Sequence, residues 1–166
     1  MGIPKKPKPV RLFVGMITRH PELFTSATSI LKKRFGKIYR ESEIFPFEFT
    51  NYYTTEMGEG LLRKFVSFEK KISPDSLAKI KLYTNKIEKR FAVNGKRQIN
   101  IDPGIITPAQ VVLASTKEFS HRIYLMAGIY AEVTLIFKKG RFEPLPWTYP
   151  DYRTQKYLSF FHSVRK

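Results

Sequence analysis

Eight consecutive residues, Val10 to Ile17 (VRLFVGMI), hold a single polar side chain, Arg11. A run this apolar reads as a strand buried on both faces at the centre of a sheet, so the fold has to be built around a sheet with this strand inside it. The run Leu61 to Glu69 (LLRKFVSFE) and the short apolar stretch Val111 to Ser115 supply further strands. Arg97 to Gly104 (RQINIDPG) adds one with Ile99 and Ile101 on one face and Gln98, Asn100 and Asp102 on the other, since side chains alternate along a strand. Pro103-Gly104 is expected to stop that ladder and leave Asp102 at a strand end. Ile123 to Phe137 is long and apolar, with Gly128 marking a bend or bulge, and Lys139-Gly140 reads as a hairpin turn. Within Phe45 to Phe49 the aromatics alternate around Pro46, which fits an edge strand or, alternatively, a loop over a site.

Helical spacing appears in three places. Pro21 suits a first turn, and Phe24, Ala27, Leu31 and Phe35 recur on one face before Gly36. After Ser73-Pro74, Leu77, Ile80, Thr84, Ile87 and Phe91 form a second apolar face, with Lys81, Asn85 and Glu88 as a polar stripe beside it. The last helix follows Trp147-Thr148-Tyr149-Pro150-Asp151, with Pro150 near its first position, and runs to about Val164. Helices and strands alternate irregularly, and several strands are joined by short turns. The expected fold is therefore α+β: a single largely antiparallel sheet of about five or six strands with roughly three helices, mostly on one face. Residues 1–9, rich in Pro and Lys, form a basic arm, and 10–166 form one domain.

Cysteine is absent, which excludes disulfides and Cys-ligated metals and fits a reducing cytoplasm. No apolar run approaches the length of a transmembrane helix. The net charge is +16, and it is uneven. Residues 1–40 hold 10 basic and 1 acidic side chains, 61–100 hold 11 and 3, while 41–60 hold five Glu and no Lys or Arg. Two basic blocks suit a polyanionic partner such as RNA if they converge in space, with a nucleotide as a smaller alternative.

The side chains able to do chemistry are Asp102, Glu132 and His121. Glu132 lies in the middle of an apolar strand, where a charge needs a partner. Asp102, Glu132 and Glu56 are the candidate carboxylates for a metal such as Mg²⁺, and His121 is the candidate general acid or base, with Arg122 beside it for an anion. Lys81, Asn85, Glu88, Arg97, Asn100, Lys117, Arg122, Trp147 and Asp151 are the candidate ligand-binding residues. Three readings stay open: a module binding RNA or another phosphate-rich ligand; a metal-assisted phosphoryl-transfer or hydrolytic enzyme using the carboxylates around Asp102 and Glu132; and a structural or interaction protein.

The segments EMGEGLLRKFVSF, RQINIDPG, VLASTKEFSHRI, GIYAEVTL and WTYPDY, with the stripe of Lys81, Asn85 and Glu88, occur in order along nearly the whole chain. As a set they resemble a prokaryotic domain-of-unknown-function family of small single-domain proteins, some of whose members are labelled GTP-binding. The resemblance brings no established activity with it. A phosphate loop of the form G-x4-G-K-[ST] is absent, and Thr84-Asn85-Lys86-Ile87-Glu88, the nearest match to a guanine-reading motif, falls inside an amphipathic helix.

Overall fold

The computed structural model describes residues 1–165. Residues 1–9 are exposed and carry no helix or strand. Among the described residues nine strands form one sheet: β1 (Arg11–Thr18), β2 (Ile38–Glu41), β3 (Phe45–Pro46), β4 (Leu62–Phe68), β5 (Asn100–Ile106), β6 (Gln110–Ser115), β7 (Arg122–Met126), β8 (Ile129–Lys138) and β9 (Arg141–Pro144). The helices are α1 (Pro21–Phe35), the single turn α2 (Thr54–Met57), α3 (Leu77–Phe91) and α4 (Gln155–Arg165). The spatial order is β2-β4-β1-β5-β6-β8-β7, with β3 against β4 and β9 against β8, and every pairing is antiparallel.

The α+β class and the antiparallel sheet are as expected, but the sheet has nine strands rather than five or six. The surplus has two causes. β2 and β9 are each four residues long, too short to show a period, whereas β3 falls within the alternating Phe45–Phe49 stretch. The run Ile123–Phe137 is also not one bent strand: Ala127 and Gly128, both at positive φ (50° and 76°), make a tight turn that folds it into the β7–β8 hairpin.

β1 lies between β4 and β5 and is covered on both faces. Leu12, Val14 and Met16 pack under α1 and α3, in one core with Phe24, Leu31, Ile80 and Ile87. Phe13 points the other way, edge-on to Phe161 of α4 at 5.0 Å. The two 15-residue helices thus share one face and α4 takes the other. α4 begins at Gln155 rather than near Pro150, because Asp151–Arg153 form a separate 3₁₀ turn and Thr154 is extended.

Pro103 and Gly104 do not end their strand, as the sequence suggested. They sit inside β5, paired with Val14 and Phe13 of β1. On the other side, however, β5 pairs with β6 only from Gly104 to Ile106. The peptide groups of residues 101, 103 and 105 face β6, and residue 103 is the one with no N–H to donate. Proline therefore ends one ladder while leaving the other intact. Gly104 is required where β6 does approach: a Cβ there would meet the Phe13 ring and stand 2.6 Å from the Val112 carbonyl oxygen.

Candidate functional site

Where β5 and β6 part, α3 supplies what the missing strand would have given. The Ile101 N–H donates to Glu88 Oε1 at 2.6 Å, and the Ile101 carbonyl accepts from Lys81 Nζ at 3.3 Å. The polar stripe of α3 thus satisfies the open edge of β5, since buried peptide groups have to be paired. Lys81 Nζ also donates to Asp102 Oδ1 at 2.8 Å, and the Asn100 amide donates to Asp102 Oδ2 at 2.6 Å. Arg97 joins this row: it grips Glu56 through Nε and Nη2, donates to Asn100 Oδ1, and stands 3.7 Å from Glu88 Oε2.

The gap is a cleft of about 430 Å³, with Lys81, Asn85, Glu88, Lys89, Arg97, Asn100 and Asp102 on one wall. Ser115, Thr116 and Lys117, the continuation of β6, form the opposite wall, and Tyr52, Tyr53 and Tyr149 close one end. A second cavity of about 420 Å³ adjoins it, sharing Tyr52, Tyr53, Lys117 and Tyr149 and reaching Arg63 and Asp151. Lys117 Nζ lies 3.8 Å from the centre of the Tyr52 ring. Neither Lys89 nor Lys117 is in an ion pair among the described residues.

The two carboxyls of the cleft are driven apart. Burial pushes Glu88 up to about 7, against the pull of Lys81. Burial acts on Asp102 in the same sense, but the Lys81 charge and hydrogen bond outweigh it and hold Asp102 below the ordinary aspartate range. Glu56 is also held low, first by its hydrogen bond from Arg97. Burial raises the phenols of Tyr53 and Tyr149.

Glu132 finds the partners its burial demands, away from the cleft. Its Oε2 is 2.9 Å from both His121 Nε2 and Arg122 Nε, and Thr134 donates to Oε1 at 3.2 Å. His121 stacks on Trp147 at 5.0 Å, and the Trp147 indole N–H donates to the Val133 carbonyl, in the stretch of β8 that neither β7 nor β9 covers. Arg122 also donates to Tyr149 Oη at 2.7 Å, which ties this cluster to the end of the cleft.

Asp151 is turned inward rather than completing a helix start. It accepts from Arg63 Nη2 at 2.9 Å, and both side chains are about 5% exposed. Burial raises the Asp151 carboxyl and Arg63 opposes it. Arg63 reaches this position because Gly15 has no side chain: a Cβ there would come within 3.0 Å of Arg63 Nη1. Its guanidinium lies among Phe47, Phe65, Tyr152 and Tyr157, with ring centres 5.0–5.9 Å away, and Nε and Nη1 have no hydrogen-bond partner.

Of the candidate residues, Lys81, Asn85, Glu88, Arg97, Asn100, Asp102 and Lys117 come together on the cleft, and Glu56 is held by Arg97 at its back. His121, Arg122, Glu132 and Trp147 form the neighbouring cluster, and Asp151 borders the second cavity. The proposed carboxylate trio of Asp102, Glu132 and Glu56 is not assembled. Each is engaged by its own cation, and among the described residues no three His, Asp or Glu side chains are placed to hold a metal ion. Arg63, Ser115 and Thr116 were not among the candidates. Arg63 carried a signal, since it alternates with Phe65 on a buried row, and a charge there needs a partner just as Glu132 does.

The fold and the cleft define a single-sheet α+β protein with a ligand-sized polar opening at a seam of the sheet. The chain belongs to a family described as a domain of unknown function, DUF4416, whose model matches residues 8–166. No curated protein and no solved structure matches it. Among the described residues no helix is long and apolar enough to cross a membrane.

Proposed function

We propose that the cleft between β5 and β6 binds a phosphate-bearing ligand with a planar ring, of the nucleotide class. Lys89 and Lys117 take the phosphate, Tyr52, Tyr53 and Tyr149 flank the ring, and Asn100, Asp102 and Ser115 offer hydrogen bonds to its edge. The observation that carries this reading is the pair of adjoining cavities of about 430 and 420 Å³ that share Lys117 and three tyrosines. Each falls in the range of small-molecule sites, roughly 300–1,000 Å³. The first holds four cations against two carboxyls, one of which titrates near neutrality, so an anion is favoured.

Calorimetric titration with ATP, GTP and inorganic phosphate, with and without Mg²⁺, tests it. Saturable binding of a nucleotide that weakens about tenfold or more in Lys117→Ala is expected, since hydrogen bonds to charged groups are worth ~1.5–3 kcal/mol. No binding at millimolar nucleotide, or equal binding by the variant, overturns it. Analysing the nucleotide afterwards for cleavage reads whether Glu88 and Asp102 do acid–base chemistry on it, because carboxyls of split pKa are how such pairs divide those roles.

A second reading, docking of single-stranded RNA, is favoured by the helix layer. Exposed Lys32, Lys33 and Arg34 of α1 and Lys79, Lys86, Lys89 and Arg90 of α3 belong to helices on the same side of the sheet, so part of each basic block lies in one layer. RNA affinity that falls steeply with salt and with charge reversal at Lys32 and Lys33, while nucleotide binding is unchanged, would separate it from the first.

A further inference from the structure

The two ends of the sheet are built differently. At one end β2 is four residues long, carries Arg40 and Glu41 and follows Lys37; β3, beside it, contains Pro46. At the other end β9 contains Arg141, Glu143 and Pro144. These are the usual guards against edge-to-edge pairing: short strands, charges and proline. β7, the terminal strand, is five residues long with a register shift between Tyr124 and Met126, but it contains no proline and no charge beyond Arg122, whose guanidinium is committed to Glu132, Ser115 and Tyr149. From Ile123 to Gly128 every residue is exposed, and Ile123, Tyr124, Leu125 and Met126 are 68%, 58%, 40% and 40% exposed, with Phe119 at 61% nearby. No Lys or Arg occurs from Ile123 to Phe137, in a chain that has 30 of them.

We propose that β7 is a dimer interface: two copies of this chain meet edge to edge through Ile123–Met126 about a two-fold axis, so that one sheet runs through both. Self-pairing suits an antiparallel edge, because the same strand can supply both sides of an isologous contact. Phe119 and Ile123–Met126 together leave on the order of 500 Å² of surface open per copy, less than a standard interface buries on each side, which suits a weak, concentration-dependent dimer. Charge points to the same place. Two molecules of net charge +16 repel, and the Ile123–Met126 stretch, which carries no charged side chain, is a length of edge where they approach at little added cost.

Sedimentation equilibrium of the full chain, from micromolar to hundreds of micromolar and at low and moderate salt, reads this directly. A dimer that tightens as salt screens the charges is expected, opposite to the salt response of polyanion binding. Ile123→Lys with Leu125→Lys should weaken dimerisation at least tenfold while leaving the circular dichroism spectrum unchanged, because both side chains already face solvent. Amide exchange of the unmodified protein gives a readout that needs no variant: β7 amides are protected at high concentration and not at low, whereas β2 amides are indifferent to concentration. A monomer at every concentration, a dimer insensitive to the lysines, or protection that does not track concentration at β7 would each overturn the interface.

Discussion

Replacing Glu88 with Gln tests the electrostatics of the cleft in one step. Glu88 is 6% exposed, and burial raises its carboxyl to about 7 from an ordinary value of 4.5. Between those values the folded protein holds a proton that the unfolded chain has released, so stability falls as pH rises through this window and levels off above it. The full difference amounts to about 3 kcal/mol, of which roughly 2–3 kcal/mol develops between pH 5 and pH 8. Gln keeps the shape and the oxygen that accepts from the Ile101 N–H, and so mimics the protonated glutamate without titrating. Urea unfolding of both proteins at pH 5, 6, 7 and 8 should therefore give similar stabilities at pH 5. By pH 8 the variant should be ahead by ~2 kcal/mol or more. A difference that is the same at every pH would refute the reasoning, because Glu88 would then titrate as an ordinary surface glutamate.

Two other side chains carry predictions of comparable size. Asp151→Ala leaves Arg63 charged and buried among aromatic rings, and should cost about 3–5 kcal/mol in chemical unfolding; replacing both partners with apolar residues should recover most of that loss. Gly104→Ala sets a methyl against the Phe13 ring and the Val112 carbonyl, which cannot both retreat. A loss of ~2 kcal/mol or more is expected, seen as a drop in melting temperature of several degrees, and shortening Phe13 to Leu should restore only part of it because the carbonyl belongs to a paired strand.

What the sequence revealed depended on the range of the interaction. α1 was expected from Pro21 to Phe35 and spans those residues, because Pro at its start, Gly after its end and a 3.6-residue period are all local. The polar stripe of α3 was legible for the same reason, and so was its place beside the buried face. Its partners were not: Lys81 meets Asp102 and Glu88 meets Ile101 only because α3 packs over β5. Arg63 and Asp151 are 88 residues apart and Glu56 and Arg97 are 41 apart, and neither separation leaves a trace in local pattern. The β7–β8 hairpin was missed because Ala127 at positive φ is a turn residue that composition does not announce. Asp151 could be read as a helix-start carboxylate, since nothing nearby in sequence shows that an arginine is waiting beneath it.

The cleft follows from one missing hydrogen and one helix face. An ordinary residue at position 103 would offer its N–H to β6, and the β5–β6 ladder could continue toward Ile101; proline removes that donor while β1 holds the other side of the strand through Val14. Once the strands separate, the peptide of Ile101 has to be satisfied by something other than a strand. Glu88 and Lys81 do so with a carboxylate and an ammonium, which brings charge into the sheet seam. That charge needs counter-charges in turn, and Asp102 and Arg97 supply them. Filling the gap with apolar side chains would leave the Ile101 peptide without partners. Extending the ladder would close the space between Asp102 and Ser115. The opening persists because the strand edge is satisfied by long side chains reaching in from α3, and these leave room for a ligand between the walls.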